Sequence, residues 1–554
     1  MSVDEGAFDV IVLGTGLTNS IVAASLSKAG FKVAHIDHNP YYGALDASLS
    51  FEELVQWQNT QTTAFSSFSR SGDTLAQSRA FSISLAPSLI PSTGPLIDAL
   101  IASGVARYGG FRMIERVCVY DPSGTVKLVP GSKEDVFKNK EISLLDKRRL
   151  MRFLMFAAGD FEDKKELEGH ADTPFPEYLK TVFSLTGDMI NAIVYALAYC
   201  LSPNDPTLPA LHRLRRYLRS AGRYGTSPFL VGHYGSAGEI AQGFCRTAAV
   251  SGGVYILGKP IKSLSASPPK HILHFEEFPE PLSCSLLISS PGYSLPSQPT
   301  LVNPPSSSST SFSAHSTTCD VARCIAIIDR PLGLGELAPP PDDDGIPMEP
   351  VADESAPSPD NSSSSTSPSP AVLDTAVLVF PPSSLANGSS TAAATALLTG
   401  ENTLSCPKGK WILYLALPLL ASTPISNPET LLQPYLNAIL ALPADGIDTP
   451  ITPLFTTFYI QHPSPPADPQ QTAEAPLEPA SASTAAHLAP APLPPILPLP
   501  DAGDAAAEHA EHVFWEAVKI LRPNAKEGGG DQDDDDGITS FWPPMENKED
   551  QDEE

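Results

Sequence analysis

The sequence predicts an α/β fold carrying an inserted α-helical domain and disordered insertions, on three observations. Residues 8 to 43 read as strand, glycine turn, helix, strand. The hydrophobic period then becomes helical over about 130–225 and returns to α/β character over 226–290. Long Ser-, Pro-, Ala- and Asp-rich tracts interrupt the second half, and 57 prolines are spread through the chain.

The opening segment sets the fold type. Asp9-Val10-Ile11-Val12-Leu13 is a short β-branched run, as expected of a parallel strand covered on both faces. Gly14 and Gly16 permit a tight turn and a close approach of backbone to whatever lies at the following helix N-terminus. Ile21, Ala24, Ser25 and Lys28 follow at helical spacing, Gly30 ends the helix, and Lys32 to Asp37 is the second strand. This is the flavoprotein-like, FAD/NAD(P)-binding-like form, with Asp37 where such folds place the acid that meets a ribose hydroxyl. The third fingerprint glycine is replaced by Asn19, whose side chain crowds the turn. No bound cofactor is expected.

Later elements follow in order. Residues 111–120 are strand-like, Asp121-Pro122-Ser123-Gly124 is a turn, and Thr125 to Val129 is a further strand. Leu150, Phe153, Leu154 and Ala157 share one helical face; Ile190, Ile193, Val194, Leu197 and Leu201 share another. Apolar runs at 254–257, 286–288, 324–328, 376–380 and 411–417 read as strands, the last three completing the first domain from distant sequence. The expected organisation is an α/β domain over 1–125, a mainly helical domain over 126–225, and the α/β domain continued over 226–295. A mostly disordered insertion follows over 296–370 with a strand near 322–330. The α/β domain is completed over 371–461, followed by a Pro/Ala-rich linker (462–507), a helix (508–525) and an acidic tail (526–554). That tail has 11 acids against one lysine from 531 onward and reads first as a solvated segment.

Composition removes whole classes of function. The net charge of −28 disfavours nonspecific nucleic-acid binding. Seven scattered cysteines show no Cys-x-x-Cys pair or zinc spacing, which fits a reduced cytoplasmic protein without a metal site. No signal peptide, membrane span or C-terminal prenylation box is expected. Nucleophile elbow, zinc-protease and phosphate-loop motifs are missing, and His35, His38, His212 and His233 have no nucleophile at informative spacing, so no catalytic residue is assigned.

Two blocks carry a family resemblance. Gly14-Thr15-Gly16-Leu17 with Asp37-His38-Asn39-Pro40-Tyr41-Tyr42-Gly43 resembles the first conserved region of the Rab GDP-dissociation inhibitor and escort superfamily. Tyr234-Gly235-Ser236-Ala237-Gly238-Glu239-Ile240-Ala241-Gln242-Gly243-Phe244-Cys245-Arg246, leading to Ser251-Gly252-Gly253-Val254-Tyr255, is similar to its second hallmark, with one residue more than the usual spacing before Glu239. The runs 129–137, 145–154 and Phe541-Trp542-Pro543-Pro544 are similar to the escort branch, as is Ser50-Phe51.

The resemblance implies a non-catalytic accessory protein. It would bind GDP-loaded Rab GTPases, present them to the Rab geranylgeranyltransferase heterodimer, shelter the geranylgeranyl lipid and deliver the client transiently to membranes. It implies a Rab-binding platform of Tyr41, Arg223, Glu239 and Arg246. On residue type alone, Tyr41 and Tyr42 at a strand end read as core packing, and Glu239 with Arg246 as an ordinary surface pair. Leu150, Phe153, Leu154, Ile190, Ile193, Val194 and Leu197 read as plain helical core, and by resemblance as candidates for the prenyl site. A recycling inhibitor and an FAD-dependent amine-oxidase-like enzyme are the alternative readings.

Overall fold

Two sheets and a helical layer organise the chain. The computed structural model describes residues 6–59, 64–130, 142–290 except 268 and 278, residue 293, 319–334, 372–420, 427–463 except 445, 446 and 448, 485–523 except 491 and 492, and 538–543. The expected insertions at 296–318 and 335–370, and most of the acidic tail, lie outside these residues.

The first sheet grows from the glycine turn. Ala7–Leu13 is flanked in parallel by Val33–Asp37 and Leu282–Ser289, and Val254–Leu257 extends the Val33–Asp37 side. Beyond Leu282–Ser289 the sheet turns antiparallel through Lys270–Phe275 and Ile261–Ser267. Every residue from Val10 to Leu13 is buried, which is why this strand reads as an unbroken apolar run. Helices Leu17–Lys28, Pro95–Ser103, Ala237–Val250 and Ala502–Leu521 cover one face, where Val10, Val12, Ile21, Phe244 and Phe514 form a common core. Ile11, Leu13, Ile36, Leu273 and Phe275 form the core on the opposite face.

A second, eight-stranded sheet has the order Phe65–Gly72, Phe455–Gln461, Val321–Ile328, Trp411–Pro418, Ala394–Thr399, Thr375–Phe380, Arg116–Tyr120, Val126–Leu128. The strands expected to complete the first domain from distant sequence thus join Phe65–Gly72 and Arg116–Tyr120 of its first part in this sheet. In the first sheet, Leu282–Ser289 is edged by Lys270–Phe275 at one end and by Ala486–Leu488 at the other. The strand-like run 111–120 is divided between two sheets. Phe111–Met113 pairs with Phe229–Gly232, whereas Arg116–Tyr120 joins the second sheet beside Thr375–Phe380.

Period-two alternation gives the second sheet two apolar faces. One, with Cys324, Leu378, Leu413 and Phe458, is covered by helix Pro428–Leu440. The other, with Ile325, Ile327, Val377 and Tyr414, shares its core with the helical layer of Leu144–Ala158, Phe175–Phe183, Gly187–Asn191, Ala192–Leu197 and Thr207–Ser220.

Two further segments differ from the sequence expectation. Part of the 462–507 stretch is ordered into strand Ala486–Leu488, and Leu488 and Ile496 are buried. An open strand edge supplies the backbone partners that its composition lacks apolar area to replace. The helix expected over 508–525 begins at Ala502 and ends at Leu521. Its first turn is held by charge: Asp504 accepts the Leu96 backbone N–H at 3.0 Å and pairs with Arg216 Nη1 at 3.1 Å, while Asp501 accepts the Tyr217 hydroxyl at 2.6 Å.

Two consequences are measurable. Phe153 is fully buried against Phe175 and Phe183, so Phe153→Ala is expected to cost about 3–5 kcal/mol in denaturant unfolding. His35 is buried beneath the glycine turn, where Nε2–H donates to the Gly14 carbonyl at 2.8 Å and Nδ1 faces the Tyr255 hydroxyl at 3.2 Å. Burial pushes its pKa down to about 4. The unfolded chain thus binds the extra proton first, and stability falls as pH drops from the ordinary imidazole range towards 4. The loss attributable to His35 is on the order of 3 kcal/mol. Urea midpoints at pH 7.5 and 4.5 should show a shallower loss in His35→Gln than in the parent chain.

Candidate functional site

The helix Ala237–Val250 places Glu239 and Arg246 two turns apart on one side. Arg246 is exposed, and its guanidinium lies over the Tyr108 ring at 4.8 Å. Tyr108 is fixed in turn, its hydroxyl donating to the Gly243 carbonyl at 3.1 Å with Thr247 Oγ1 at 2.7 Å. A flexible side chain is thereby held against a rigid ring before any partner arrives. Glu239 is half-buried in a small groove with Val105, Tyr108 and His233, and burial raises its carboxyl pKa. Among the described residues no ion pair joins Glu239 to Arg246, so the ordinary surface pair does not form.

The loop before this helix absorbs the extra residue. Tyr234, Gly235 and Ser236 all take positive φ (51°, 83° and 62°). A Cβ at Gly235 would stand 2.4 Å from Ser48 Oγ and 2.9 Å from the Ser82 carbonyl, so glycine is required there. The Tyr234 N–H donates to the Thr403 carbonyl at 3.1 Å and the Gly235 N–H to Ser405 Oγ at 3.1 Å. Contacts from the second sheet's connection therefore set the helix start.

The other expected platform residues sit apart from this pair. Arg223 is exposed, donates from Nη1 to the Ser92 carbonyl at 2.8 Å and lies over Tyr224 at 5.3 Å. Tyr41 is half-buried, packs against the core shared by the second sheet and the helical layer, and faces a deep crevice. Tyr42 meets Tyr255 edge to face at 5.9 Å. Among the seven prenyl candidates, Leu150, Phe153, Ile193 and Val194 are buried in the helical core, with Leu154, Ile190 and Leu197 half-buried against it.

The crevice is a cavity of about 680 Å³ between the glycine turn, the second sheet and the segment 493–499. Its glycine-turn end tests the dinucleotide reading directly. Leu17 N–H, at the first helix N-terminus, donates to Asp46 Oδ2 at 2.8 Å. A carboxylate of the chain itself therefore occupies the position where that helix end would receive a pyrophosphate. Asp37 is also fully engaged: Oδ2 accepts the Thr15 N–H and hydroxyl, each at 2.7 Å, and Oδ1 accepts the Asn39 backbone and side-chain N–H at 2.9 and 3.0 Å. Asn19 Nδ2 donates to the Leu13 carbonyl and Ser290 Oγ, both at 2.9 Å, and Ser290 covers Gly14 so closely that a Cβ there would lie 2.3 Å from its Oγ. These residues do not fit a dinucleotide phosphate. Asp46, Tyr108 and Arg323 escape sequence reading. The only signal was an acid three residues beyond Gly43 for the first, and an arginine at the head of an apolar run for the last. Asn19→Gly should gain no flavin, because Asp46 and Asp37 keep their present partners; stoichiometric flavin absorbance in the purified variant would contradict the assignment.

Comparison with known proteins follows this geometry. Residues 3–336 match the family model described as GDP dissociation inhibitor. The chain is 32% identical over 356 residues to the Rab proteins geranylgeranyltransferase component A of Drosophila melanogaster, covering 60% of this chain and 65% of that protein. It is 35% identical over 279 residues to the protein of the same name from Candida albicans, covering 49% and 43%. It spans less than two thirds of the length of these relatives. A Rab GDI structure from Plasmodium falciparum shares the fold with TM-score 0.58 at 19% identity, covering 92% of this chain and 98% of that one. With both hallmark blocks inside the matched residues, the chain belongs to the GDP dissociation inhibitor family.

Proposed function

We propose that the chain is a Rab escort protein: it binds GDP-loaded, unprenylated Rab GTPases, presents them to Rab geranylgeranyltransferase, and carries the prenylated product to membranes. The observation that carries this reading is the family match over 3–336 together with relatives named as component A of that transferase. The chain contributes no catalytic group in this scheme; it is the accessory component.

The physical roles divide between the layers. The exposed Arg246, prepaid in conformational entropy by Tyr108, and the half-buried Glu239 present a planar cation and a poorly solvated acid to a protein partner. Arg223 and Tyr41 extend this platform. Helix Leu144–Ala158 leaves Leu144, Leu145 and Met155 exposed beside Arg152, an apolar surface suited to the transferase. The prenyl chain is sheltered by opening of the helical core around Phe153, Ile193 and Val194, since an apolar chain gains roughly 0.8 kcal/mol per buried CH₂. No helix among the described residues is long and apolar enough to cross a membrane.

The deciding experiment is prenylation of unmodified Rab by purified transferase with and without the chain. Stimulation supports the escort role; extraction of prenylated Rab from membranes without stimulation indicates a recycling inhibitor. Arg246→Ala is expected to weaken Rab binding by about 1–4 kcal/mol in calorimetric titration while the thermal midpoint stays near that of the parent. Unchanged affinity would remove Arg246 from the platform.

A further inference from the structure

The second sheet carries an arginine where its strand is otherwise apolar. Val321–Ile328 reads Val-Ala-Arg-Cys-Ile-Ala-Ile-Ile, and Arg323 lies on the face that turns away from helix Pro428–Leu440 and lines the cavity. Its register neighbours are Ala416 on one side and Tyr459 on the other. Nε donates to Gln461 Oε1 and Nη2 to the Pro495 carbonyl at 3.3 Å, both neutral acceptors. Among the described residues no carboxylate pairs with this guanidinium, and Nη1 has no acceptor. Burial lowers its pKa from the ordinary arginine range. Arg323 is half-buried, and a cation withdrawn from water without an anion is costly, since buried charges are otherwise paired.

The cavity's acids are elsewhere and already used. Asp37 and Asp46 accept hydrogen bonds at the glycine-turn end, and Glu53 accepts the Ser50 N–H. Beside Arg323 stand the uncharged Ala416, Tyr459, Gln461 and Pro495, and the cavity walls also carry Tyr195, Leu493, Ile496 and Leu499. The volume of about 680 Å³ lies within the roughly 300–1,000 Å³ of small-molecule sites. One guanidinium with free donors, largely apolar walls and acids already engaged in hydrogen bonds define the complement of a single-chain amphiphile with one anionic head.

We infer that this cavity binds a long-chain carboxylate of the fatty-acid class, its head on Arg323 and its chain along the 493–499 segment. The site borders the helical core proposed above for the prenyl chain through Tyr195, and its Arg323 head site does not depend on Rab binding. It is non-covalent, and the bound anion supplies the charge partner that the protein withholds from Arg323.

The test uses the full chain and the fluorescent fatty acid cis-parinarate. Saturable one-to-one binding is expected, displaced by oleate at least tenfold more effectively than by oleyl alcohol. Arg323→Leu should abolish that preference by weakening the acids at least tenfold while oleyl alcohol binds as before, and Arg323→Lys should restore part of it. Ala416→Trp, which fills the cavity beside Arg323 without touching its charge, should remove binding of both acid and alcohol, and it serves as the test should Arg323→Leu not fold. Absence of saturable binding, equal displacement by acid and alcohol, or unaltered binding in Ala416→Trp would overturn the assignment. Each readout is made without Rab or transferase, so failure here leaves the escort reading to its own assay.

Discussion

The carboxylates of Asp501 and Asp504 hold the two halves of the molecule in register. They join the first turn of helix Ala502–Leu521 to Arg216 and Tyr217 of helix Thr207–Ser220, and Asp504 also receives the N-terminal amide of helix Pro95–Ser103. Three elements from distant sequence meet at one buried charge cluster. Burial pushes the Asp504 carboxyl up to about 7 even beside Arg216, so desolvation there outweighs the ion pair. The cluster is retained because it fixes position: Gly503, Ala506 and His509, on the same helix, close one wall of the crevice, and Ala510, Phe514 and Ala517 cover the first sheet.

The glycine turn shows how a dinucleotide-type frame can survive without its phosphate contacts. A helix N-terminus presents unpaired amides and a partial positive charge to any anion within reach. Here Asp46 answers that field from within the chain, and Thr15 and Asn39 consume the acceptors of Asp37. The local geometry remains that of the strand–turn–helix unit, while its polar groups are turned inward. Tyr41, immediately beyond, is then free of any cofactor role.

Legibility in the sequence followed the range of the interaction. The opening unit was readable because its strand, turn, helix and strand are contiguous, and they stand as Ala7–Leu13, Leu17–Lys28 and Val33–Asp37. Glu239 and Arg246 share a helix side because the helical period alone brings them there. The pairing within the second sheet was not legible because apolar strands announce themselves but not their partners, and Val321–Ile328 finds Phe455–Gln461 and Trp411–Pro418 across long intervals. Arg323 fell inside the strand expected near 322–330, but nothing in an apolar run tells that its charge lines a cavity. Tyr108 could not be foreseen as the support of Arg246, because it reaches that side chain from a separate loop. Strand Ala486–Leu488 was hidden by its Pro- and Ala-rich surroundings, and only the vacant edge of Leu282–Ser289 explains it.

Helix Leu17–Lys28 packs against helix Ala502–Leu521, and Val10 shares a core with Phe514. On a ribosome these partners emerge far apart in time. At about 5–20 residues per second, the apolar side of the first helix waits roughly 25–100 s for its cover. Its other neighbours, Leu282–Ser289 and Ala237–Val250, arrive midway and bury only part of it. The nascent chain therefore carries the uncovered apolar side of that helix until its last segments emerge, and transiently exposed surface of this kind is prone to aggregation.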